Sequence, residues 1–167
     1  MMFETERLIV RRLAEDDLDA MFAVYGDADT MRWVDDSVPL TLELCEEWVA
    51  VTYSNYATRG YGMSALVLRE TGAVVGFCGL VHPGDQQTPE LKYALRRELW
   101  GRGLASEAAK AMIAYGEMAF GMQRILATVA PANAASVRVL EKAGMRRTDT
   151  RHNADGTETA VFEWRAP

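Results

Sequence analysis

Gly101 and Gly103 stand one residue apart in Trp100-Gly101-Arg102-Gly103-Leu104-Ala105-Ser106-Glu107, between a strand-like run at 90–95 and a long apolar-periodic helix. Glycines at such a turn let the backbone bend tightly and approach a ligand closely. The helix behind them offers N–H groups without intrahelical partners and the positive end of its dipole. That combination suits an anion, most often a phosphate, although making the turn is a sufficient reason for the glycines. Two other places hold reactive groups. Asn133 and Ser136 open a short helix, where each either caps locally or also serves a ligand. Glu90 begins a strand as a candidate base, the alternative being a solvated strand-end carboxylate. Lys92 shares its strand face. His82, beside Pro83, reads as a surface turn histidine first and a base second.

The elements that position these groups follow from periodicity. A first strand spans 7–13, and a helix runs from Glu15 to about Tyr25 with Leu18, Met21, Phe22 and Tyr25 on one face. After a loop holding Trp33 and Pro39, Thr41 is placed to cap a helix reaching about Ala57, with Leu44, Trp48 and Val51 aligned. Strands at 61–68, 73–81 and 89–96 precede a helix from Leu104 to Phe120, whose expected stripe is Leu104, Ala108, Met112, Tyr115 and Ala119. Gly121 ends it. A strand at 123–129, a helix at 133–143 stopped by Gly144, and a hairpin of 145–151 with 157–164 around Asp155-Gly156 complete the chain. The order predicts one α/β (α+β) domain over residues 1–167.

Composition narrows the function. The chain has 167 residues, 49% apolar and 25% charged, which suits one folded domain. A net charge of -6 argues against nucleic acid and anionic membrane surfaces as partners. Cys45 and Cys78 are too few for a disulfide framework and lack metal-ligand spacing, so no metal is expected. The N-terminus lacks the basic and apolar regions of a signal peptide, and no run reaches the roughly 20 residues that span a bilayer. A cytoplasmic protein is the expectation.

Two nucleotide fingerprints fail. Ser106 occupies the third glycine position of G-x-G-x-x-G, and the following strand ends without the acid that binds ribose. The lysine that closes a P-loop is absent. Four segments together match something else. Trp100-Gly101-Arg102-Gly103-Leu104-Ala105 resembles the pyrophosphate loop of the GNAT acetyltransferases, Gln/Arg-x-x-Gly-x-Gly/Ala, with Trp100 in place of Gln or Arg. The run from Asn133 through Ser136, Leu140 and Lys142 to Met145 resembles the N-x-x-S-x-x-V-x-E-K-x-G-[FM] of the Rim type, named for enzymes that acetylate ribosomal-protein N-termini. Glu4 to Arg11 is similar to T-x-R-L-x-[ILV]-R, and Glu90 to Leu95 to E-[IL]-G-Y-x-[IL], with Lys92 where the family has Gly.

The resemblance implies a mixed sheet of about six to seven strands, about four helices, and a splay between the strands near 90–96 and 123–129. It implies acetyl-CoA as co-substrate, held by Tyr93, Ala94 and Leu95, by the amides of Trp100, Gly101, Arg102, Gly103, Leu104 and Ala105, and by Asn133 and Ser136. The tyrosine that many members use as acid falls at Leu140, so Ser136 is the expected donor to the leaving sulfur and Glu90 the expected base. Arg102 and Lys142 would supplement the phosphate site. Trp33, with Glu90, would bind the acceptor, Trp48 and Tyr61 are further aromatic candidates, and Asp35-Asp36 would suit a cationic amine. The acceptor is a primary amine, on a small molecule or a protein N-terminus; the alternative is a silent acyl-CoA-binding domain. A homodimer is common in the family.

Overall fold

The structure, a computed structural model, describes residues 1–33 and 38–167. In chain order the elements are β1 (Phe3–Glu4), β2 (Leu8–Arg12), α1 (Leu18–Tyr25), α2 (Ala28–Met31), α3 (Leu42–Arg59), β3 (Met63–Leu68), β4 (Val74–Val81), β5 (Glu90–Leu95), α4 (Leu104–Phe120), β6 (Arg124–Val129), α5 (Ala134–Lys142), β7 (Arg146–His152) and β8 (Glu158–Arg165). Among the described residues eight strands form one sheet in the order β1-β2-β3-β4-β5-β6-β8-β7. The predicted α/β class holds, with one strand more than expected. The extra strand, β1, is a two-residue rung on β2 and too short to show alternation.

Every pairing is antiparallel except β5 with β6, which run parallel and share a single register pair, Glu90 with Leu126. Past that rung β5 stays bonded to β4, while β6 leans on β8. The sheet is therefore split along one seam. On one face α4 and α5 pack over Leu8, Leu66, Leu80, Leu91, Ile125 and Phe162. On the other, α1 and α3 cover Ala65, Phe77 and Ala94. Helices on both faces explain why β4 reads as an almost unbroken apolar run rather than an alternating one.

Several helix faces are rotated from expectation. In α3 the buried residues are Cys45, Val49 and Thr52, while Leu44 and Val51 are exposed. Apolar residues lie all around this helix, so its periodicity supports two stripes, and packing on α1 and Phe77 chooses between them. The helix also extends to Arg59, ended by Gly60 in the left-handed region. Phe22 of α1 is exposed and Val24 takes its place inside. In α4 the buried stripe is Leu104, Ala108, Ala109, Met112, Ile113 and Gly116; Tyr115 is half-buried and Ala119 exposed. The stretch before Trp33 is partly helical, because Asp27 caps α2 through Oδ2, which accepts from the Thr30 amide at 3.0 Å. The predicted caps are present: Thr41 Oγ1 accepts from the Leu44 amide and Asn133 Oδ1 from the Ser136 amide, both at 3.2 Å. No helix of the described residues is long and apolar enough to cross a membrane.

Candidate active site

A cavity of about 480 Å³ opens where β5 and β6 part. Its walls come from β5, the turn 99–106, β6 and one flank of α5, and its far mouth is formed by Thr30 and Trp33. It thus runs through the seam, from the α4 side to the α1 side.

The glycine turn forms one end. Gly101 has φ +76° and Gly103 φ +78°, where a side chain is strained, and Gly103 is the residue from which α4 starts. The Glu107 amide makes the first intrahelical bond, to Gly103 O at 3.1 Å, so the N–H groups of Leu104, Ala105 and Ser106 precede the helical ladder. The Trp100 amide is already committed to Arg97 O at 3.1 Å, which removes it from the expected cradle. Its indole Nε1–H instead donates to Leu95 O at 3.0 Å, tying the turn to the strand end.

An acid in the first turn of α4 would repel an anion there, and Glu107 is held away from that role. Its Oε1 accepts from Thr5 Oγ1 at 2.6 Å and the Arg7 amide at 2.8 Å, and its Oε2 from Arg7 Nε at 2.7 Å. Burial alone would raise this carboxyl, yet those hydrogen bonds outweigh it and hold Glu107 below its ordinary value. The Arg7 guanidinium also donates to Arg102 O at 2.7 Å, bracing the turn from behind. This is the physical content of the Thr5-x-Arg7 segment, which was legible only as a motif. Arg138 and Lys142 line the cavity one helical turn apart on α5. Arg102 is exposed beside the turn without lining the cavity. Among the described residues none of these three cations makes an ion pair. Arg138 was not singled out in the sequence, although its i, i+4 spacing from Lys142 was visible.

Along β5, Leu91, Tyr93 and Leu95 pack with the core under α4 and α5, while Ala94 packs with the core under α1 and α3, and Glu90 and Lys92 share its strand face by alternation. Successive peptide groups point to opposite strand edges. The Arg96 amide bonds Val75 O on β4 at 2.8 Å, so the Leu95 N–H lies on the edge that faces the gap. The Tyr93 hydroxyl meets the Ser136 hydroxyl in a short hydrogen bond, and burial pushes the phenol up to about 12 despite that bond. Asn133, Ser136 and Leu140 all line the cavity, and Leu140, 1% exposed, gives it an apolar wall with no proton to donate.

Glu90 is not a solvated strand end: it is 2% exposed. Its Oε1 accepts from Thr128 Oγ1 at 2.6 Å and lies 3.1 Å from Lys92 Nζ, and its Oε2 accepts from Gln86 Nε2 at 3.2 Å. Lys92 and Thr128 line the cavity and Glu90 does not, so the carboxylate expected as base sits one layer behind the wall. His82 lies outside, bonded to Tyr61 OH at 2.7 Å and Gln86 O at 2.8 Å. Of Trp33, Trp48 and Tyr61, the aromatics expected at the acceptor, Trp33 alone reaches the cavity. Trp48 packs on Tyr25 and Tyr61 on Phe120, with ring centroids 5.1 and 4.8 Å apart. Asp35 and Asp36 lie outside the described residues. Among those residues, no three His, Cys, Asp or Glu side chains gather to hold a metal.

Comparison with known proteins agrees with this geometry. Residues 7–146 match the family model described as "Acetyltransferase (GNAT) domain". The chain is 34% identical over 153 residues to the uncharacterized protein YkkB of Bacillus subtilis, covering 87% of this chain and 86% of that protein. It superposes on an acetyltransferase (GNAT family) from Bacillus anthracis with a TM-score of 0.82 at 26% identity, over 97% and 96% of the two chains. A similar fold, TM-score 0.83 at 15% identity over 98% and 97%, occurs in RimL, a ribosomal L7/L12 alpha-N-protein acetyltransferase solved with coenzyme A. With most of its length inside the family match, this chain belongs to the GNAT acetyltransferase family and is an acyltransferase that uses acetyl-CoA as co-substrate.

Proposed function

We propose that this acyltransferase is an N-acetyltransferase that moves the acetyl group of acetyl-CoA onto a primary amine by direct attack. The observation that carries the reading is the continuous cavity through the seam: phosphate-suited amides at one end, Trp33 and Lys92 at the other. Acetyl-CoA supplies an activated acyl thioester; everything else is the work of this chain. Gly101, Arg102, Gly103, Leu104 and Ala105 offer backbone to the pyrophosphate, supplemented by Arg102, Arg138 and Lys142. Tyr93, Ala94, Leu95, Trp100 and Asn133 line the arm's path. The Leu95 N–H faces the gap, where it can donate to the oxygen that becomes negative during attack. Ser136 Oγ–H hydrogen-bonds the departing sulfur. Glu90, behind the wall, holds Lys92 and Thr128 against the acceptor and so acts on the amine through them.

The four motif blocks resemble those of the Rim type, which supports a protein N-terminal amine as acceptor; a small-molecule amine is the other class. Thiol release from acetyl-CoA, screened over small amines and short peptides of varied N-termini, separates them. Release should require a primary amine and stop with its fully methylated counterpart. Calorimetry showing no acetyl-CoA binding at high micromolar concentration would overturn the reading.

A further inference from the structure

We propose that Tyr93 is a positioning residue whose phenolic hydrogen, donated to Ser136, turns the serine hydroxyl proton into the cavity. The proposal rests on the reading of Ser136 as the sulfur-side donor and adds the group that aims it. The two hydroxyls are neighbours across the seam, one on β5 and one in the first turn of α5, and both belong to the cavity wall. A hydroxyl pair has two polarities. If Ser136 donates to Tyr93, its only hydrogen is consumed and it cannot serve a ligand. If Tyr93 donates, the serine accepts and keeps its hydrogen for the cavity.

The surroundings favour the second arrangement. The Tyr93 oxygen lies 3.5 Å from the Ser136 carbonyl as well as beside its Oγ. A carbonyl oxygen can only accept, and at 3.5 Å it is too far to hold the phenol hydrogen itself, so that hydrogen, kept on the side of these two oxygens, falls to Ser136 Oγ. A phenol is also the stronger acid of the two, and hence the better donor. Ser136 is fixed from its backbone too, because its amide is held by Asn133 Oδ1 at 3.2 Å. The Asn133, Ser136 and Tyr93 constellation therefore leaves the serine hydrogen uncommitted and turned toward the gap.

The phenol does not itself pass on its proton. Burial holds it up to about 12, whereas an ordinary thiol titrates near ~8.5, so moving the proton from phenol to thiolate is unfavourable by roughly a thousandfold or more. When the carbon–sulfur bond breaks, the sulfur keeps the electron pair, and the proton shed by the acylated nitrogen neutralises the thiolate after it has left, giving amide and free thiol. Ser136 stabilises that charge with its hydrogen bond, and Tyr93 retains its own proton throughout.

The test uses the whole protein with CoA as probe, following thiolate ultraviolet absorbance against pH for wild type, Tyr93→Phe, Ser136→Ala and the double variant. Losing the aimed hydrogen bond should raise the bound thiol's titration midpoint by about one pH unit, the equivalent of about tenfold. Tyr93→Phe and Ser136→Ala should each show this rise, and the double variant no more than Ser136→Ala alone. Turnover of acetyl-CoA with the best acceptor should fall roughly tenfold in kcat for Tyr93→Phe, with KM for acetyl-CoA changed less than about twofold. A midpoint that moves in Ser136→Ala but not in Tyr93→Phe overturns the positioning role and leaves the donor role standing. Independent, multiplying effects overturn it as well. An unmoved midpoint and unchanged turnover in Ser136→Ala remove the donor reading, and this inference with it.

Discussion

Replacing Gly103 by valine tests the glycine turn most directly. Its φ of +78° is in the left-handed region, where any L side chain costs about 1–2 kcal/mol, and a β-branched one sits there as an outlier. The added Cβ would come 3.4 Å from Arg7 Nη2, and the γ-methyls would press on the guanidinium that holds Arg102 O and Glu107. For a chain of this size each kcal/mol lowers Tm by about 2–4 °C, so the strain predicts a loss of about 2–8 °C with the fold retained. The loss in binding is larger. Hydrogen bonds to charged groups contribute about 1.5–3 kcal/mol each, and misaiming two of the turn's amides weakens acetyl-CoA binding by about a hundredfold or more. Gly72 is the control. It has φ +73°, no heavy atom within 4 Å of its would-be Cβ, and a place in the β3–β4 turn away from the cavity. Gly72→Val should lower Tm similarly and leave affinity unchanged. Calorimetric titration with acetyl-CoA, paired with thermal melts, reads both. Wild-type affinity in Gly103→Val would remove the turn from the site. Equal losses in both variants would show that affinity follows global stability instead.

Arg7→Ala should weaken acetyl-CoA binding about fivefold by releasing Arg102 O and Glu107, an effect discounted because Arg7 is 43% exposed; calorimetry measures it. The same brace gives a pH dependence. Glu107 is depressed in the folded state, so its contribution is complete above its ordinary value of 4.5 and is lost as pH falls through the lower folded value. Affinity should therefore be flat near neutrality and fall only in acid below 4.5, and Glu107→Gln should flatten that fall. Asp17→Asn should cost about 2–4 kcal/mol, seen as a lower urea midpoint, because the buried carboxylate holds Arg11 through two bonds of 2.7 and 2.8 Å and the Ala14 amide at 2.8 Å. Glu90→Gln should raise KM for the acceptor amine about tenfold while acetyl-CoA affinity stays level, since it removes the carboxylate charge that holds Lys92 and Thr128 at the acceptor end only; equal losses for both substrates would contradict that placement.

The local devices of this protein were determined by sequence alone. Gly101 and Gly103 require their own backbone conformation, Thr41 and Asn133 cap the helices they precede, and Gly121 and Gly144 end two others. Each is a short-range effect in which the residue and its consequence lie within a few positions. The order of elements and the α/β class were legible for the same reason. What tertiary structure decided is everything that depends on which neighbour arrives. Leu44 and Val51 were as plausible as Cys45 and Val49 for the inner face of α3, and only packing on α1 and the sheet chose. Glu90 carried the same local pattern whether solvated or buried; Thr128, 38 residues away, and Lys92 turned it into a buried anchor behind the wall. The Tyr93–Ser136 contact joins residues 43 apart and has no sequence period at all. The anion-suited turn could be written locally because backbone amides need only the right φ and ψ. The rest of the site needed a seam between β5 and β6, and a seam exists only once the whole sheet is assembled.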